Sequence, residues 1–306
     1  MFGLSTFTGR VRSQPLMNRV SISDRALKWI FLLPSVAILA FLSLYPFFRG
    51  IWMSLHKWPL AGREIEFTGF ANYASLLSSG RFHNSLWNTA VFTGVSVTLE
   101  IVIGIALAMY LFSLSQRWRP ILRTIFIVPM VVTPIATGLM WRLMLNSRIG
   151  VINYLLELVG IAPPEWTSSP FMAMATIITI DVWQWTPLVI MIVFAGLLSI
   201  PDSLYEAARV DGAPSWAIFR HITLPGIKYM VAIAAVFRLM RSFRSFDIIW
   251  LVTQGGPGTA TEILNIYLYR VAFVFLKGGE AAALGLTLLV VTIFTALALF
   301  YVAGVG

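Results

Sequence analysis

The sequence predicts an all-α integral membrane protein of six spanning helices with both termini in the cytoplasm. Three observations carry that prediction. Of the 306 residues, 58% are hydrophobic and only 11% charged, with a mean hydropathy of +0.82, whereas a soluble domain is about 25% charged. Apolar runs of roughly 20 residues recur, the length that crosses a bilayer as a helix. Lys and Arg also gather on one set of alternate segments: the N-terminal tail (Arg10, Arg12, Arg19, Arg25, Lys28), the turn with Arg117, Arg119 and Arg123, and the stretch 201–228 with Arg209, Arg220 and Lys228. The intervening loops carry fewer over more residues, and that bias puts the basic set on the cytoplasmic side. The net charge of +9 therefore reads as topology and not as a nucleic-acid footprint. Without cysteine, disulfides and thiolate chemistry are excluded.

The spans follow in order. The first is 29–54; its uncharged core Trp29–Phe48 is longer than a signal-peptide core and no small-residue cleavage pattern follows, so it reads as uncleaved. The second is 85–113, with Glu100 read as a packing or subunit-interface acid. The third, 120–145, contains Pro129 and Pro134; the fourth, 170–200, contains Asp181 and Pro187. The fifth, 227–252, carries Arg238, Arg241, Arg244 and Asp247, and is kept as a span by its flanking apolar runs and by the parity of the loops. The sixth, 281–304, is uncharged. Residues 1–28 form a cytoplasmic tail and 29–304 one transmembrane domain, with no separate soluble domain.

The cytoplasmic stretch 201–226 is the polar feature of the second half. Asp202 or Ser203 is placed to cap a short helix, and Ser203 and Glu206 have capping-box spacing. Gly212 stands where a helix ends with positive φ. A second amphipathic piece, "SWAIFRHI", follows, and Leu224-Pro225 restarts a helix into span five. Two short helices with exposed apolar faces need a partner.

Intramembrane charges each call for a function. At about 100° per residue, Arg238, Arg241, Ser242 and Ser245 share one stripe of span five. Arg244 and Asp247 lie on the other side, three apart, and read as a structural pair. In span four, Asp181, Gln184, Trp185 and Leu188 share a face. An acid, an amide and an indole suit sugar hydroxyls and ring faces, and equally suit interhelical hydrogen bonding; Asp181 alternatively neutralises a span-five arginine.

Glu206-Ala207-Ala208, Gly212, then Ile222-x-Leu224-Pro225 match the signature of EAA-loop permeases, and the chain resembles the permease subunits of binding-protein-dependent ABC importers. "GFANY", "VPMVVTPIATGLMW", "VWQWTP" and "FDIIWLVTQGGPG" resemble the maltose-type carbohydrate branch. The resemblance implies the six-helix importer permease fold. It implies a coupling helix in 201–226, with Glu206, Ala207, Ala208, Arg209, Asp211 and Gly212 meeting a cytoplasmic ATPase subunit. It implies as partners a second homologous permease, two ATPase subunits and an external sugar-binding protein. The substrate pathway is then Asp181, Gln184, Trp185, Arg238, Arg241, Ser242 and Ser245, and the outer loop "TQGGPGTATEI" meets the binding protein or forms part of an outer gate. Arg241 departs from the branch, where an acid or amide is commoner, which points to a sugar bearing an anionic group. The sequence contains no G-x-x-x-x-G-K-[ST], so ATP and magnesium are expected on the partner subunits and no cofactor on this chain. A membrane-embedded enzyme is the competing class, but His56, His83 and His221 are dispersed and no metal-ligand spacing occurs; a channel or membrane anchor gives no reason for the EAA ladder.

Overall fold

The computed structural model describes residues 24–60 and 64–302. The tail assigned to 1–28 lies outside the described residues as far as residue 23. Two compact units are present, one ending at Arg49 and the other beginning at Gly50. The first contains most of α1 (Asp24–Ser54), a helix with Pro34 and Pro46 inside it and with large apolar side chains such as Phe31, Leu39 and Phe41 exposed.

The second unit opens with a two-residue ladder, β1 (His56–Lys57) antiparallel to β2 (Glu66–Phe67), and α2 (Ala71–Ser78). Then come α3 (Gly80–Ser113), α4 (Arg119–Val131), α5 (Pro134–Met144), α6 (Val151–Leu158) and α7 (Pro170–Leu198). Next are α8 (Asp202–Val210), α9 (Ser215–Ile218), a π-helical turn Phe219–Thr223 and α10 (Leu224–Phe243). The chain ends with α11 (Asp247–Val252), α12 (Leu264–Tyr269), a second π-helical turn Arg270–Val274 and α13 (Gly278–Val302). Among the described residues, five helices are long and apolar enough to cross a bilayer; α4 and α5 make a sixth crossing if counted as one broken span.

That third crossing is bent by 91°, and the sequence explains where. Thr133 precedes a proline, which disfavours the helical region, and it is extended at ψ 145°. Pro134 then starts α5 at the position where a missing N–H costs least, and Thr133 Oγ1 caps Ala136 N at 3.4 Å.

The fifth crossing differs from the sequence expectation at both ends. Leu224-Pro225 does not restart a helix; Ser215–Phe243 is one continuous rod. The turn just ahead of Pro225 widens to i→i+5, with Leu224 N bonded to Phe219 O, which relaxes the clash a proline ring makes with the preceding turn. At the other end the helix stops at Phe243, not at 252, and α11 begins after a break at Arg244–Phe246.

The core is built on α3 and α7. Gly104 of α3 lets them touch: a Cβ there would lie 2.5 Å from Val189 Cγ1. Around that contact, Ala108, Leu111, Val193, Leu197 and Ile227 form one apolar cluster that reaches Tyr205 of α8. A second cluster joins α5, α7 and α11 through Leu145, Ile177, Ile180 and Ile249.

Candidate functional site

One charged residue from each of α3, α7 and α10 meets the others inside the helix bundle. Arg238, Glu100 and Asp181 are almost completely buried. Arg238 Nη2 donates to Glu100 Oε1 at 2.7 Å and to Asp181 Oδ2 at 2.9 Å, and its Nε donates to Glu100 Oε2. One guanidinium fork thus holds two carboxylates, a geometry that a planar five-donor group makes possible. Of the two readings left open for Asp181, neutralising a span-five arginine describes its contacts. Glu100 is a packing acid, bound within its own chain.

In front of this triad opens a cavity of about 580 Å³, lined among others by Asp181, Trp185, Arg241, Arg244, Ser245 and Asp247. Phe237 and Phe246 add aromatic walls. The Arg241 guanidinium carbon lies 3.5 Å from the centroid of the Trp185 ring, stacked on the indole as cation–π partners do. Among the described residues, neither Arg241 nor Arg244 is in an ion pair.

The structure therefore divides the proposed pathway set. Asp181, Trp185, Arg241 and Ser245 come together on the cavity. Gln184, Arg238 and Ser242 stand behind it, and each is occupied: Gln184 Nε2 donates to Val132 O at 2.9 Å, at the bend of the third crossing, and Ser242 Oγ donates to Thr93 Oγ1 at 3.0 Å. The structural pair assigned to Arg244 and Asp247 is not formed. Their spacing of three is helical only on a continuous helix, and the break at Arg244–Phe246 falls between them; both line the cavity instead.

The loop 201–226 is built as a short helix and a sharp turn. Pro201 is the N-cap of α8 and no side chain caps it. The expected cap at Asp202 or Ser203 and the Ser203–Glu206 box are therefore corrected: the helix starts early enough to put both residues in its first turn. The other end follows expectation. Gly212 has φ +70°, Ala213 N bonds Ala208 O at 2.9 Å and Gly212 N bonds Arg209 O at 3.1 Å, which is the paired Schellman arrangement. Tyr205 faces inward, its hydroxyl 3.3 Å from Thr223 Oγ1. Glu206, Ala207, Arg209, Asp211 and Gly212 are exposed and Ala208 is half-buried. Val210 and Trp216 add apolar surface, at 88% and 67% exposure.

One cluster escaped sequence reasoning. Glu262, fully buried, accepts two hydrogen bonds of 2.7 Å from Arg81 and another from Arg270. Asn84 and Asn88 donate to Thr259 O at 3.0 and 2.8 Å. Together they clamp the Gly-Pro loop onto α3. The signal was available: Glu262 is an isolated acid next to an apolar run, "ILNIYLY".

Compared with known proteins, residues 100–304 match the family described as binding-protein-dependent transport system inner membrane component. The chain belongs to this family: it is an inner-membrane permease subunit of the ABC importer class. Among its relatives is the trehalose/maltose transport system permease protein MalF of Thermococcus litoralis, 34% identical over 83% of this chain and 86% of that one. The sulfoquinovosyl glycerol transport system permease protein SmoG of Agrobacterium fabrum is 32% identical over 88% and 87%. A solved bacterial ABC transporter involved in the import of the acidic polysaccharide alginate superposes with a TM-score of 0.78 at 25% identity, covering 90% of this chain and 94% of that one.

Proposed function

We propose that this chain, paired with a second permease, imports a sugar carrying an anionic group by alternating access driven by two cytoplasmic ATPase subunits. The observation that carries this reading is the cavity: an indole beside two guanidinium groups, Arg241 and Arg244, with no ion-pair partner among the described residues. Asp181 shares Arg238 with Glu100, so what favours an anion is not net charge but the two guanidinium groups that face the cavity free of ion pairs among the described residues, with Asp247 beside them on the lining. Aromatic faces bind sugar rings, and an arginine fork recognises carboxylate, sulfonate or phosphate oxygens. The alginate importer and the sulfoquinovosyl glycerol relative support an acidic sugar derivative. The trehalose/maltose relative supports a second reading, a neutral disaccharide.

The exposed face of α8 and the Gly212 turn is the surface proposed to dock on an ATPase subunit. Glu206 is exposed and, among the described residues, is in no ion pair that would compete for it. ATP and magnesium belong to those partner subunits in this reading. An external binding protein delivers the sugar, as the alginate complex with a pentasaccharide-bound periplasmic protein supports.

Uptake into proteoliposomes holding the full complex and its binding protein tests the proposal. Acidic sugars should compete for uptake, and replacing Arg241 with Gln should weaken that competition. Competition by neutral disaccharides with none from acidic sugars would select the second reading. ATP-dependent uptake should require the complex and be absent with this subunit alone.

A further inference from the structure

Between the third and fourth crossings lies α6, eight residues, Val151–Leu158, to which neither the cavity nor the coupling loop gives a role. Val151, Tyr154, Leu155 and Leu158 are spaced i, i+3, i+4, i+7 and all are exposed. Ile149 ahead of the helix and Ile161 behind it extend the patch, at 76% and 54% exposure. An amphipathic helix ordinarily turns such a stripe toward its own core; here the stripe faces out and the polar residue faces in. Asn153, buried, donates from Nδ2 to Asn146 O at 2.9 Å and accepts from Trp166 Nε1 at 2.7 Å. Trp166 O in turn accepts from Thr176 Oγ1 of α7 at 3.0 Å. These bonds pin α6 to the end of α5 and the second turn of α7, at the level where the two crossings end.

We infer that α6 lies along the membrane surface, its apolar stripe inserted among phospholipid acyl chains. Three features select lipid as the occupant. Helices of this kind bury their apolar face about 5–10 Å into the headgroup–acyl boundary, which is where a helix pinned to span ends is held. Arg142 and Arg148 are exposed just ahead of α6, placed for lipid phosphates, and Tyr154 and Trp166 are the side chains that favour that depth. The stripe is also small: a stable protein interface uses about 20–30 residues a side, and this patch offers only the four positions and their flanks.

The chain has no cysteine, so a single Leu155→Cys variant can carry an environment-sensitive fluorophore attached before assembly of the complex. In nanodiscs of phosphatidylcholine and phosphatidylglycerol, nitroxide lipids labelled near the headgroup should quench it several-fold more than lipids labelled near the acyl terminus. A Glu157→Cys label, on the flank of the stripe, should be quenched less than the Leu155→Cys label. Leu158→Cys serves if Leu155→Cys does not assemble. A label insensitive to both nitroxide lipids, or one shielded only when a partner subunit or the binding protein is added, overturns the lipid assignment. The readout is depth, not side, so it stands apart from the transport assays and from the orientation of the termini.

Discussion

Two buried charge clusters in this chain are mirror images in composition. Around Arg238 one base holds two acids, with side chains 0–3% exposed. Around Glu262 one acid holds two bases, and Arg81 and Arg270 keep 33% and 21% of their side-chain surface. Burying a charge costs several kcal/mol unless good geometry and hydrogen bonding offset it, and even in the first cluster Arg238 Nη1 is buried without a hydrogen-bond partner among the described residues. The first cluster has nowhere to shed charge, so it behaves as a single unit bolting three helices behind the cavity. In the second, water and the faces of Tyr267 and Phe275, 5.6 and 5.2 Å from Arg81, share the work. Similar ion-pair arithmetic thus yields a rigid bolt in one place and a solvated clamp in the other.

The contrast breaks most sharply at Arg238. Arg238→Leu leaves Glu100 and Asp181 side by side without a counter-charge, and removing one partner of a buried pair costs about 3–5 kcal/mol. Thermal unfolding of the detergent-solubilised chain should show a large loss or no folded protein. The triple change Glu100→Leu, Asp181→Leu, Arg238→Leu should recover much of that stability, though not transport. Equal losses in the single and triple variants would sink the bolt description.

Glu262→Gln should cost less, about 1–3 kcal/mol, because both arginines reach solvent and the amide still accepts one hydrogen bond. Its main effect should be on the Gly-Pro loop, read as weaker dependence of ATPase stimulation on the binding protein while the folded chain is retained. A stability loss as large as that of Arg238→Leu would remove the distinction between the two clusters.

Both clusters tested the sequence reading in the same way. Spans and the helix-turn element at 201–226 are local patterns, so uncharged runs and the position of Gly212 located them. Ion pairs across 138 residues (Glu100 to Arg238) and 181 residues (Arg81 to Glu262) leave no local pattern, and only the isolated acids hinted at them. Arithmetic on the fifth span failed for a different reason. It assumed one straight helix past Phe243, while "RSF", with neither Gly nor Pro, carries no breaker signal; the break follows from α11 packing on α5 and α7. The wheel still grouped Asp181, Trp185 and Leu188 correctly, because Pro170–Leu198 is unbroken.

Arg241→Gln probes the cavity side of the first cluster. Arg241 is exposed to the cavity and outside the triad, so stability should change by less than about 0.5 kcal/mol. An acidic substrate should lose affinity by about tenfold, roughly 1.4 kcal/mol, seen as a raised KM in uptake with little change in kcat. Unchanged KM would detach the anion preference from this residue.

A change at Gly212, away from both clusters, separates folding from transport. Its φ of +70° is strained for any other residue, yet a Cβ there meets nothing within 4 Å. Gly212→Asp should therefore cost only about 1 kcal/mol of local turn stability, less than a β-branched residue such as Gly212→Val, because aspartate tolerates the left-handed region better. The protein should insert and fold while ATP-driven uptake falls, since the turn sets the angle between α8 and the rod that begins at Ser215. Loss of uptake should be larger for Val than for Asp, with near-normal unfolding temperatures for both. Normal uptake with either variant would mean that the Gly212 turn does not transmit movement from an ATPase to α10.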